Sequence, residues 1–86
     1  MNQKATTKDE LFLLKLYQLA DAAGDPESEI DRYTIGKAIG QNNHASDMIV
    51  KHLAQANFVR KGDDSAIFST PHGINLVKHL QSERQK

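Results

Sequence analysis

The 86 residues contain no cysteine, which excludes a disulfide framework and any thiolate metal centre. No apolar run approaches the roughly 20 residues needed to span a bilayer. The opening MNQKATTKDE is polar where a signal peptide would be apolar. A cytoplasmic location with no membrane partner is the expectation. Net charge is also lacking: 11 Lys and Arg balance 11 Asp and Glu. A protein that coats nucleic acid by bulk electrostatics is therefore disfavoured. There is no internal repeat and no low-complexity stretch.

Signals for catalysis are missing too. His44 and His52 are eight apart, and His72 and His79 seven apart. Neither is the four-residue spacing that sets two imidazoles beside one metal on a helix. No serine lies in a Gly-x-Ser-x-Gly elbow, and no glycine-rich loop could cradle a phosphate. The expectation is a non-enzyme with no catalytic residue, no metal and no cofactor.

What is present suits one ordinary soluble domain, with 38% hydrophobic and 26% charged residues. A single domain over 1–86 is expected, with its ordered core from about 7 to about 82. The charge, zero in sum, is segregated. From Met1 to Asp31, Lys4, Lys8 and Lys15 face seven carboxylates, a net of −4. From Arg32 to Lys61, five cations (Arg32, Lys37, Lys51, Arg60, Lys61) face Asp47 alone, a net of +4.

Thr7-Lys-Asp-Glu10 has capping-box spacing and precedes an apolar run, so a first helix starts there. Phe12, Leu16, Leu19, Ala20 and Ala23 form its core face, and Leu11, Leu13, Leu14 and Tyr17 widen it. A helix this apolar is either deeply buried or has a second partner. Gly24-Asp-Pro26 stops it. Asp31 suits the cap of a second helix to about Ile39, with Ile30 and Ile35 at staple spacing. Its inward residues are Ile35, Ala38 and Ile39. Gly40 ends it, and Asn42 or Asn43 caps a third helix from about His44 to Ala56. Ala45, Ile49, Leu53 and Ala56 point inward, and Asn57 tolerates the left-handed conformation where that helix ends.

The period then becomes extended. Phe58–Lys61 and Ala66–Ser69 are strands around a Gly62–Ser65 hairpin. Thr70-Pro71 starts a last helix with Ile74, Leu76, Val77 and Leu80 inward. The class is mainly α with a small β-hairpin (α+β), ordered helix-helix-helix-strand-strand-helix.

Three fragments in this order resemble the winged helix-turn-helix superfamily, in the small prokaryotic regulator style of MarR-like repressors. Ile35-Gly-Lys-Ala-Ile-Gly40 resembles the end of a second helix in "I-A-x-x-L-G". Ile49–Val59 resembles "L-V-x-x-L-x-x-x-G-L-V", the passage from recognition helix into wing. Ile67-Phe-Ser-Thr-Pro-His-Gly73 resembles "V-x-L-T-x-x-G", the passage out of the wing. Gly36 stands where alanine is usual and Asn57 where glycine is usual. Gln41 and Ser46 stand where many such sequences are apolar.

The resemblance implies sequence-specific binding of double-stranded DNA, as in a transcriptional regulator. The third helix would lie in the major groove and the 58–69 wing on the backbone. Carried onto this chain, Asn43, His44, Asp47 and Lys51 become base readers. Arg60, Lys61, Lys37 and Arg32 become phosphate ligands. A homodimer is implied as well, with its seam expected at Leu11 and Leu14. Acid-before-base spacing also lets Asp47 and Lys51 pair along one solvated helix. The wing tip, with Asp63 and Asp64, would repel phosphate. That tip, the zero net charge and the over-apolar first helix fit an alternative: a winged-helix protein-protein interaction module without DNA binding. One small domain leaves little room for a pocket, so no small-molecule effector is expected.

Overall fold

The computed structural model describes residues 7–84. Helix α1 (Lys8–Ala22) starts on the capping box. The Thr7 hydroxyl accepts from the Glu10 amide at 3.1 Å, and the Glu10 carboxylate accepts from the Thr7 amide at 3.2 Å. Next come strand β1 (Ile30–Asp31), helix α2 (Arg32–Ala38), helix α3 (Asn43–Gln55), strands β2 (Val59–Lys61) and β3 (Ala66–Ser69), and helix α4 (Pro71–Arg84). The domain is mainly helical with one small antiparallel sheet. No helix among the described residues is long and apolar enough to cross a membrane.

Three helices end in the same device. After α1, Gly24 (φ 119°) lets the amides of Gly24 and Asp25 bond back to Asp21 and Ala20. After α2, Gly40 (φ 80°) sends its own amide to Lys37 and that of Gln41 to Gly36. After α3, Asn57 (φ 65°) sends its own amide to Ala54 and that of Phe58 to Leu53. Each pair is the double bond of a Schellman motif, which satisfies carbonyls that a helix end leaves open.

The expected hairpin is present as antiparallel β2 and β3, and a strand not expected from the sequence, β1, extends it. The sheet has three strands in the order β1-β3-β2, with Ile30 opposite Ile67, and Val59, Arg60 and Lys61 opposite Ser69, Phe68 and Ile67. Two residues of β1 are too few to show an alternating period. In sequence, Ile30 and Asp31 read only as helix entry. Both roles coexist, because Asp31 pairs with Ala66 and also caps α2 through the Thr34 amide at 3.0 Å.

Helix α1 occupies the centre, against α2, α3, α4 and the sheet. Phe12, Leu13, Leu14, Leu16 and Ala20 are all buried there, and they pack with Ile35, Ile49, Val50, Leu53, Val59, Ile67 and Val77. Apart from Leu11, its wide apolar stripe is thus taken up within the chain. The inward alanines expected at helix ends do not follow: Ala23, Ala38 and Ala56 are exposed.

Helices α2 and α3 meet at Gly36 and Ser46, both buried. The Ser46 hydroxyl fills the space where a Cβ on Gly36 would stand, and the Gln41 carbonyl lies 3.2 Å from that point. The same hydroxyl donates to the Asn42 carbonyl at 2.9 Å. A glycine inside α2 therefore permits the close crossing that the buried serine completes. Gly36→Ala is expected to lower stability by about 1–3 kcal/mol through overpacking, although alanine is the better helix former. A urea melt reads it, and a gain of about 1 kcal/mol would mean that propensity alone governs the position.

Candidate nucleic-acid interface

The Asn42 side chain accepts from the Ala45 amide at 2.8 Å, so Asn42 is the cap and α3 begins at Asn43. At about 100° per residue, the buried residues Ser46, Ile49, Val50 and Leu53 define one face of α3. The line directly opposite runs through His44, Met48, Lys51 and Gln55, all exposed. Two of the expected base readers, His44 and Lys51, stand on this outward line. Asn43 is exposed but lies to one side of it. Met48 and Gln55 were missed, although stepping from His44 by four, seven and eleven residues reaches them.

Asp47 also points sideways, toward α2. Its Oδ1 accepts from the Tyr33 hydroxyl at 2.9 Å and from Arg32 Nη1 at 3.3 Å. Arg32 Nε donates to the Ser65 carbonyl at 3.0 Å, and the Arg32 amide donates to the same oxygen at 3.1 Å. Ser65 in turn donates its hydroxyl to Asp31. One polar brace thus ties the start of α2, the middle of α3 and the turn between β2 and β3.

This brace corrects two expectations. The Arg32 side chain is only 12% exposed and already committed, so it is not a free phosphate ligand. Asp47 is engaged by Arg32 and Tyr33, so the Asp47–Lys51 pair does not form, and its Oδ1 is not a free cytosine acceptor. The Asp47 carboxylate, still 47% exposed, is drawn to the bonded guanidinium of Arg32 from another helix rather than to a solvated cation along its own. On the opposite flank, His52 Nδ1 lies 3.5 Å from Asp9 of α1.

The Ser65 hydroxyl, and then the Thr34 amide and hydroxyl, hold the Asp31 carboxyl below its ordinary value against the opposing effect of partial burial. The Tyr33 hydroxyl is pushed up, chiefly by its bond to Asp47. A carboxylate with a depressed folded pKa stabilises the fold above its unfolded value, about 3.9. That stabilisation is lost as pH falls through the folded value. Asp31→Asn keeps a capping oxygen but loses the charge, and is therefore expected to lower stability near neutral pH by about 1 kcal/mol, the difference between charged and neutral hydrogen bonds. The gap to wild type should close below about pH 4, in melts run from pH 7 to 3. A gap constant with pH would contradict this role.

The remaining cations have no hydrogen-bond or ion-pair partner among the described residues. Lys37 at the end of α2, Lys51 on α3, and Arg60 and Lys61 on β2 are all exposed. The β2 pair is split, however, because successive strand residues face opposite sides of a sheet. Arg60 shares a face with Phe68, whereas Lys61 shares the other with Ile67. At the tip, Asp64 adopts φ 51°, and Glu29 reaches across to accept from the Asp63 amide at 3.3 Å. The tip thus gathers three carboxylates, Glu29, Asp63 and Asp64.

The expected dimer seam is corrected in part. Leu14 is 7% exposed and belongs to the core of its own chain, so it cannot pack against a second copy without opening that core. Leu11 is outward, at 39% exposure. Comparison with protein families, curated proteins and solved structures finds no match to this chain.

Proposed function

We propose that this chain is a winged-helix, sequence-specific DNA-binding protein, a transcriptional regulator in the manner of MarR-like repressors. Helix α3 enters the major groove, and the wing approaches the phosphate backbone. The observation that carries this reading is the outward line of α3. His44, Lys51 and Gln55 can bond base edges there, and no core contact uses them. Lys37 and Arg60 supply unpaired positive charge for phosphates, and the charge of Lys51 adds to theirs. Two copies would present two such helices to half-sites about one helical turn apart.

The acidic wing tip favours a second reading, a protein-interaction module that docks a basic partner. Selection from a pool of random duplexes separates the two. The DNA reading predicts enrichment of a common half-site, repeated as a palindrome if two copies bind together. A pool that stays random after several rounds would favour the protein-interaction module.

A further inference from the structure

One member of the outward line on α3 has no hydrogen-bonding proton. Met48 is 41% exposed, and among the described residues only Leu11 is comparably exposed for a large apolar side chain. The core does not need Met48, because Ile49, Val50 and Leu53 fill the inner face of α3. Its neighbours on the outward line are polar: His44 one turn before, Lys51 and Gln55 after. Asp47, the one carboxylate of α3, is held aside by Arg32 and Tyr33 and does not crowd it. A flexible apolar side chain therefore stands in the middle of a polar surface that carries Lys51.

Resting on the DNA-binding reading above, we propose that Met48 is a specificity-determining residue that reads the C5-methyl group of a thymine. In the major groove that methyl is the one apolar feature a base edge offers, and each other base edge there presents only donors and acceptors. An unbranched thioether can follow the methyl over small changes in docking, which a branched side chain does less well. The neighbouring Lys51 and His44 fix polar contacts on either side, so Met48 discriminates thymine from cytosine at one position per half-site.

The test uses the full chain and a duplex enriched by selection. Each thymine is replaced singly by uracil, which removes only the methyl group, and affinity is read by fluorescence anisotropy. Wild type is expected to lose about fourfold at one thymine of each half-site, the transfer value of one buried methyl group. Met48→Ala should bind the thymine duplex about fourfold more weakly and be indifferent to uracil at that position. Its salt dependence should match wild type, since no charge changes. Met48→Ala that keeps the full thymine preference, or a wild type indifferent to every replacement, overturns the proposal while leaving DNA binding standing. Absence of binding to any duplex overturns both.

Discussion

On the proposed DNA-binding reading, replacing Lys51 and Arg60 together by glutamate is expected to weaken binding to duplex DNA by at least about 60-fold at 0.1 M salt, with the thermal melt unchanged. The size follows from counterion release. Each phosphate charge neutralised contributes roughly 0.9 to the log–log salt slope, so two cations are worth nearly two decades at 0.1 M before any new repulsion. Both side chains are exposed and unpartnered among the described residues, one on α3 and one on β2, on the face it shares with Phe68. Surface changes of that kind move stability by no more than about 0.5 kcal/mol. Arg32 is a poor substitute in this experiment, because its guanidinium joins Ser65 to Asp47 and its loss would disturb the fold. Undiminished affinity in the double variant, with a normal melt, would move the DNA-binding surface elsewhere.

The second large effect concerns Gly73. This buried residue sits in the first turn of α4, and a Cβ there would meet the Phe58 backbone carbonyl. That carbonyl also accepts from the Thr70 amide at 3.1 Å. Thr70 caps α4 by accepting from the Gly73 amide at 3.0 Å, and its hydroxyl donates to the Asn57 carbonyl at 2.6 Å. The chain therefore leaves α3 and returns from the wing through one small knot of backbone. Backbone cannot step aside as a side chain can. Gly73→Ala must lift α4 from Phe58 and strain the three Thr70 bonds, at a cost of about 2–4 kcal/mol. Out of a total on the order of 5–10 kcal/mol, that should lower the melting temperature by roughly 10–20 °C. An unchanged melting temperature would show that the approach of α4 to Phe58 is looser than these contacts imply.

Local chemistry was largely legible in the sequence. Thr7, Asp31, Asn42 and Thr70 cap the helices as their residue types suggest, and Gly24, Gly40 and Asn57 take the left-handed conformation where helices end. Core faces followed the helical period except at the last positions. Ala23, Ala38 and Ala56 continue the pattern in sequence, but the helix stops before burial does its work. Strand β1 escaped because a two-residue strand carries no period; its pairing with β3 bridges more than thirty residues.

The site was less legible, for two reasons. The brace depends on contacts between residues far apart in the chain, Arg32 with Asp47 and with Ser65. The local rule for charges four apart pointed Asp47 at Lys51, and tertiary geometry overrode it. Likewise the apolar breadth of α1 does not say whether Leu14 meets its own chain or another. Only the packing of α2, α3 and α4 around α1 decides that. Met48 and Gln55 are a different case, since the helical period marks them once the buried face of α3 is known. The alternating period of β2 likewise puts Arg60 and Lys61 on opposite faces of the wing.

The most direct test of the central claim is binding of the purified chain to random-sequence duplex DNA across a salt series, read by fluorescence anisotropy. Contacts from Lys37, Lys51 and Arg60 predict measurable affinity at low salt and a log–log slope of about −3 per bound copy. No binding even at the lowest salt would contradict DNA recognition and leave the same surface to a protein partner.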